Sequence, residues 1–479
     1  MNSQAASVSK FLRRKTSRRL RRFYQFTLIA LVLSVIIAAC TNSEPGAIVT
    51  DPPDHNAALT IWWDKGFNLE EDEAIQQVVN DWSKQHNAPV ELSFYTADDL
   101  SQKAQRALQA GNPPDIMMSN SAGKALIPRL AWQGELADVS DVIEPVQQLY
   151  PASVLDSVAL YNNTNQKRSY YTVPISQSNI YIFYWRDLIQ QAGFQESDIP
   201  QDWDTFWAFW QQVQDNLQNQ PNQTIHGLGF SYSVASGDTY SMFEHILEAH
   251  DVQLLTPNGD LLIENPQTRQ GIIDSLRWYT QFYQQGYVPL GSEDWRNSDN
   301  NTNLLNRTVV MTPNASLSIP ATVRQDTDTY QNKLGILEFP NKPSGQPMRY
   351  LDDIRQAIVF ADSENQKAAK EFLSYLIQPE AIENYLKAAG GRNLPVMTSI
   401  LENSFWTNPA DPHLSTATKI LLEKQSRPFY SIYHPAYSLV VQENVWGQAI
   451  NRIVVDRVSP EQAADDAIQQ IQQIFAQWQ

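Results

Sequence analysis

One cysteine, Cys40, serves 479 residues. Such a chain can build neither an internal disulfide nor a cysteine-based metal site, so burial of apolar surface has to hold its fold. Eight of the 35 Lys+Arg and none of the 52 Asp+Glu precede Cys40. The remainder therefore carries 27 basic against 52 acidic side chains, a formal charge of about −25, which favours solubility. That balance argues against a nucleic-acid partner, because phosphate binding needs basic patches. The roughly 440 residues left exceed one comfortable core, so two domains or lobes are expected.

The position of the cysteine is as informative as its solitude. Lys10, Arg13, Arg14, Lys15, Arg18, Arg19, Arg21 and Arg22 are followed by an apolar run from Leu28 to Ala39, broken only by Ser34. A basic segment, a short apolar segment and small residues before a cleavage point describe a secretory signal. The run is too short for a membrane span of about 20 residues. Ile37-Ala-Ala-Cys40 resembles the lipobox of bacterial lipoproteins, which implies that residues 1–39 are removed and Cys40 is lipidated. An uncleaved anchor or a chance cysteine is the alternative. The pairs Arg18-Arg19 and Arg21-Arg22 fit a twin-arginine signal poorly. Residues 40–57, with Asp51-Pro-Pro-Asp54, read as a polar, proline-rich tether.

Beyond the tether, Leu59-Thr-Ile-Trp-Trp63 has strand character, and Ile75, Val78, Val79 and Trp82 follow at helical spacing. Val90–Phe94, a helix around 100–110, the breaker Gly111-Asn-Pro-Pro-Asp115 and Ile116–Met118 continue the alternation. Strand and helix in alternation indicate an α/β fold with a largely parallel sheet. From Trp185 helices dominate: Trp203, Phe206, Trp207 and Trp210 form a stripe that reads as core. Ser363-Glu-Asn-Gln366 and Ser459-Pro-Glu-Gln462 have capping-box spacing.

The order of these pieces resembles the family 1 extracellular solute-binding proteins of ABC importers. The resemblance runs from Trp62-Trp63-Asp64 and Gly111-Asn-Pro-Pro-Asp-Ile116 through Tyr171-Thr-Val-Pro174, Tyr184-Trp-Arg-Asp-Leu188 and Pro200-Gln-Asp-Trp203 to Arg307-Thr-Val-Val-Met-Thr-Pro-Asn314 and Gly390-Gly-Arg-Asn-Leu-Pro395. It implies a two-lobed, periplasmic-binding-protein-like α/β fold whose lobes close on a ligand by hinge motion. Lobe one would comprise 58–175 plus 333–375, and lobe two 176–332 plus 376–479. The implied partners are a carbohydrate-like small molecule, an ABC permease and, through the lipid anchor, a membrane, all on the extracytoplasmic side. Two departures fall at the expected cleft. Ala315-Ser-Leu317 stands where the family often has Gly-Ser-Trp, and Asp352-Asp353 replaces a usual glycine pair.

A sugar needs apolar surface for its C–H faces and polar groups for its hydroxyls. Trp62 and Trp63 alternate across the first strand, and the expectation places Trp63 with Asp64 at the cleft. Ser119 and Asn120 follow strand three, where ligands gather beyond the carboxyl ends of parallel strands. Gln177, Ser178 and Asn179 lie at the first crossing, as ligand groups or as a solvated loop. Tyr232, Ser233, Trp295 and Asn314 are the candidates from lobe two. Asp352, Asp353 and Arg355 either bind hydroxyls or pair with one another. Arg392 either enters the cleft or caps the preceding helix.

No catalytic residue, metal or cofactor is expected. Adjacent carboxylates such as Asp352-Asp353 point to opposite faces of a strand and do not flank a glycosidic bond. Gly229-Phe-Ser-Tyr-Ser233 lacks the last glycine of a nucleophile elbow, and His245 and His250 are not spaced for one helical face. A glycoside hydrolase is thus the weaker rival. A receptor that senses solute without transport is the other alternative.

Overall fold

A computed structural model describes residues 58–219 and 224–478. Cys40, the leader and the tether lie outside the described residues.

Two sheets organise these residues. The first has five strands: β1 (Leu59–Asp64), β2 (Val90–Tyr95), β3 (Ile116–Ser119), β4 (Val173–Ser178) and a late β-strand, Asp353–Val359, which is β9 below. Their order is β2-β1-β3-β9-β4, with β1 parallel to β2 and β3, and β9 antiparallel to β3 and β4. The second sheet holds β5 (Tyr181–Trp185), β6 (His226–Leu228), β7 (Val309–Asn314) and β8 (Leu334–Leu337) in the order β8-β5-β7-β6. Only Asn179 and Ile180 separate β4 from β5, and residues 338–352 lead from β8 back to β9.

Local chemistry explains the first sheet. In β1, Leu59, Ile61 and Trp63 share one face and bury against Ala74, Ile75, Val79 and Trp82 of the helix Leu69–His86. That helix opens with Glu71, whose carboxylate accepts the Phe67 and Asn68 N–H groups at 3.0 and 3.1 Å. Acidic groups there also complement the positive end of the helix dipole. Asp115, at the end of the breaker, fixes the opposite edge: it accepts Thr60 N at 2.7 Å and Ser363 Oγ at 2.6 Å. Ser363 is spent in this way, and Asn365 is the N-cap of the helix Gln366–Leu376. Ser459 caps the last helix, accepting Gln462 N at 3.2 Å. The tryptophan stripe Trp203, Phe206, Trp207 and Trp210 is buried in the second core.

The expected lobe limits need two corrections. Leu334–Leu337 pairs antiparallel with Ile182–Trp185 and therefore belongs to the second sheet, so the return crossing comes after Leu337 rather than at 332. The helix Pro379–Ala388 packs on Leu69–His86, beside the first sheet, through its apolar stripe Ile382, Tyr385 and Leu386. Sequence order placed it with lobe two because nothing local marks the partner of an amphipathic helix.

Beneath the return crossing lies a network of buried charge. Glu248, in the helix Gly237–Ala249, accepts Lys342 Nζ (2.9 Å), Arg349 Nε (2.8 Å) and Arg427 Nε (2.9 Å). Glu244, one turn earlier, accepts the hydroxyls of Tyr240 (2.7 Å) and Tyr437 (2.6 Å). Burial raises the Glu248 carboxyl, but hydrogen bonds from Arg349, the Arg427 charge and Lys342 outweigh it and hold the group down at about 2. Lys342 and Arg349 both sit on the crossing, so this cluster pins the chain where it passes between the sheets.

Candidate functional site

The topology brings particular strand ends together. β1, β3 and β4 finish, and β9 begins, at one edge of the first sheet, with Asp64, Ser119, Ser178 and Asp353. At the second sheet, Tyr181 begins β5 opposite Asn314, the last residue of β7. The direct link through Asn179 and Ile180 sets these two edges against each other. Asp238, in the first turn of Gly237–Ala249, lies within electrostatic reach of Lys124 and Asp353 on the first wall.

On the first wall Asp64 is buried, and its Oδ2 accepts Asn120 N at 2.6 Å while Oδ1 has no hydrogen-bond partner among the described residues. Burial pushes its carboxyl up to about 6, against the opposing pull of the Asn120 N–H, Arg355, Ser119 and Arg392. Arg392 crosses to Glu71, with Nη1 2.9 Å from Oε2, and so braces the start of Leu69–His86 instead of capping its own preceding helix. Asp353 pairs with Lys124 at 3.0 Å, and Lys124 also lies 4.1 Å from the centre of the Phe429 ring. Asn120 Oδ1, Ser178 Oγ, Asp352 Oδ2, Arg355 Nε and Asn393 Oδ1 are buried without a hydrogen-bond partner. Atoms of this kind occur elsewhere among the described residues too; this group is set apart by lying at the strand ends, where ligands of parallel sheets gather.

The second wall is differently made. Asn314 is occupied internally: Nδ2 donates to Ser316 O and Ser318 Oγ, both at 2.9 Å, and Oδ1 accepts Asn300 Nδ2 at 3.2 Å. A small cavity lies there, lined by Ile180, Phe230, Ser231, Asp238, Tyr279 and Asn314 among others. Asp238 is only partly exposed and its carboxyl is enclosed. Burial pushes it up to about 7, opposed by Lys124 and reinforced by Asp353.

Several expected residues stand elsewhere. Trp63 is 2 % exposed and belongs to the first core, because strand alternation turns it toward Leu69–His86. Trp62 is the less buried of the pair and carries Lys103 4.8 Å from its ring centre. Tyr232 is fully buried, donates its hydroxyl to Tyr279 O at 3.0 Å and packs on the Tyr279 and Tyr283 rings. Trp295 is likewise packed into the second core. Gln177 is a clasp: its backbone bridges Leu394, and its amide donates to Pro395 O at 2.7 Å. Asn179 accepts the N–H of Ile180 at 2.9 Å. Asp352 Oδ2 is buried and unpartnered, and burial raises that carboxyl. Sequence reasoning missed Lys124, Asp238 and Glu71. An acid in a first helical turn reads as a dipole-compensating residue, and nothing near Asp238 distinguishes it.

Residues 77–416, well over half of the chain, match the family model for bacterial extracellular solute-binding proteins. The chain belongs to this family. The family is extracytoplasmic by its description, and among the described residues no helix is long and apolar enough to cross a membrane. A multiple sugar-binding protein of Streptococcus mutans is 20 % identical to this solute-binding protein over 370 residues, 74 % of this chain and 79 % of the relative. An ABC transporter solute-binding protein of Thermotoga lettingae, solved with α-D-tagatose, superposes with a TM-score of 0.71 at 18 % identity, covering 87 % of this chain and 99 % of its own. The cyclic α-maltosyl-1,6-maltose binding protein of Arthrobacter globiformis gives 0.66 at 20 %, covering 87 % and 98 %. These similarities establish the two-lobed α/β fold. The named relatives are all described as binding proteins.

Proposed function

We propose that this solute-binding protein captures a neutral mono- or oligosaccharide between the facing sheet edges and hands it to an ABC permease, while a lipid on Cys40 holds it at a membrane. The single observation that carries the solute site is the group of unpartnered buried polar atoms on the first wall, across from Asp238 on the second. Hydroxyls both donate and accept, so a polyol satisfies carboxylate, amide and guanidinium together. The sugars named with its relatives support the same class. Asp64, Asn120, Ser178, Asp238, Asp352 and Asp353 are the proposed polar contacts. Closure would bring Asp238 and the cavity against them, with the crossings at 179–180 and 338–352 as hinges.

A calorimetric panel of sugars, amino acids, peptides and polyamines tests the solute class. Micromolar or tighter binding confined to sugars, with little dependence on salt, is expected, because a neutral ligand gains nothing from long-range attraction. Tight, salt-sensitive polyamine binding would replace the saccharide reading. Fatty-acid labelling of intact cells tests the anchor: wild type should be labelled and Cys40→Ser should not.

A further inference from the structure

Arg355 is the odd charge of the molecule. It is 7 % exposed, yet among the described residues it donates no hydrogen bond to the protein and has no carboxylate within ion-pair distance, and its Nε is buried without a partner. Arg427, similarly buried, is held by the chain although its Nη2 also lacks a hydrogen bond. It bonds Glu248 at 2.9 Å and the Pro428 carbonyl at 3.0 Å, its Nη2 lies 3.5 Å from Glu244 Oε2, and it lies 4.2 Å from the Tyr430 ring centre. A guanidinium nitrogen buried without a partner is costly, and the described residues supply none for Arg355 Nε.

Its surroundings define what it faces. The register of β9 against β4 shifts between Arg355 and Gln356, and an irregularity of this kind commonly re-aims a side chain at a binding site. Strand register sets Arg355 near Asp64: the adjacent Gln356 pairs with Ser119, and the next residue, Asn120, donates its N–H to Asp64 Oδ2 at 2.6 Å. The Arg355 charge is also felt by Asp64, Arg392 and Tyr385. Arg392 is neutralised by Glu71 at 2.9 Å. Arg355 and an ionised Asp64 then balance each other, so the local charge sums to zero without a charged ligand. Arginine only donates, and an ionised carboxylate only accepts.

We propose that Arg355 and Asp64 grip one sugar ring as a pair, the guanidinium donating to one hydroxyl oxygen while Asp64 Oδ1 accepts the proton of the neighbouring hydroxyl. This rests on the saccharide reading and adds to it a neutral vicinal diol as the recognised group, with Arg355 as a specificity-determining residue.

The test combines binding and stability. The sugar that binds wild type best, its deoxy analogues and its uronic acid are titrated into wild type, Arg355→Met and Arg355→Lys, and the thermal midpoint of each protein is measured without solute. Arg355→Met should bind about 100-fold more weakly, the loss of a charge-assisted pair of hydrogen bonds. Arg355→Lys, which keeps the charge without the fork, should bind about 10-fold more weakly. A deoxy sugar lacking the gripped hydroxyl should lose affinity for wild type but nothing further for Arg355→Met, as a coupled pair requires. The solute-free Arg355→Met protein should melt at the same temperature as wild type or higher. Unchanged affinity in both variants, or a midpoint several degrees lower, would overturn the proposal, and so would a uronic acid that binds wild type more tightly than its neutral parent. If wild type binds no sugar, the saccharide reading fails separately. The midpoint then still decides Arg355: a fall removes it from the site, and an equal or higher value keeps it as a contact for another hydroxyl-bearing solute.

Discussion

Two clusters of buried charge in the described part of the chain differ in how far the chain itself supplies their partners. Under the return crossing, Glu248 is surrounded by Lys342, Arg349 and Arg427, each at or below 2.9 Å, and its carboxyl is held at about 2. At the first-sheet edge, Asp64 keeps one oxygen unpartnered, its carboxyl rises to about 6, and the neighbouring Arg355 side chain makes no hydrogen bond or ion pair among the described residues. Burial alone therefore says little about a charge. Whether the chain itself supplies the partners separates a structural cluster from one shaped for a ligand.

The largest effect should come from breaking the satisfied cluster. Glu248→Gln leaves three cations around a neutral amide and should cost about 3–5 kcal/mol in urea denaturation. A loss below about 1 kcal/mol would mean that the crossing is not pinned there. Asp64→Asn should do the reverse. It removes a carboxylate that the fold disfavours, so the solute-free protein should gain up to about 3 kcal/mol at pH 8. Sugar affinity should fall about 10- to 100-fold as a charged acceptor is lost. Destabilisation on that substitution would erase the contrast between the clusters.

The pH dependences should also run in opposite directions. The Glu248 carboxyl lies at about 2 in the fold against 4.5 unperturbed. Its stabilisation is complete above pH 4.5 and is lost as pH falls through 2, a contribution of about 3 kcal/mol. The Asp64 carboxyl lies at about 6 against 3.8, so protonation favours the fold. Its cost is present above pH 6 and is relieved as pH falls toward 4. Urea titrations of wild type, Glu248→Gln and Asp64→Asn between pH 3 and 8 separate the two. Sugar affinity should meanwhile weaken below about pH 6, where Asp64 ceases to be a pure acceptor. A flat affinity profile would detach Asp64 from the solute. The smallest effect is expected at Tyr232. Tyr232→Phe removes a buried hydrogen bond to Tyr279 O, costs about 1 kcal/mol and leaves sugar affinity unchanged. A tenfold weaker affinity would return Tyr232 to the cleft.

Much of this organisation is carried by short stretches of sequence. Alternating strand and helix patterns from Leu59 to Ser119 specify the parallel part of the first sheet, and the 203–210 stripe specifies a buried helix face, because periodicity alone decides which residues share a side. The Ser459 cap and the breaker before Ile116 are equally local. Ser119 and Asn120 are expected at the strand ends because ligands gather there, and Asp64 as the exit of the first strand; the fold brings the three to one edge.

Tertiary structure decided what depends on partners far along the chain. Alternation showed that Trp62 and Trp63 face opposite ways, but only the packing of Leu69–His86 determined that Trp63 is the one in the core. Arg392 meets Glu71 across 321 positions and Arg427 meets Glu248 across 179, distances over which no local pattern carries information. The same holds for Arg355: its sequence neighbours mark a charged strand, and only the fold shows that no partner in the described chain reaches it. Periodicity fixes a side chain's direction relative to its own backbone, whereas satisfaction of a charge depends on what the rest of the chain brings within about 3 Å.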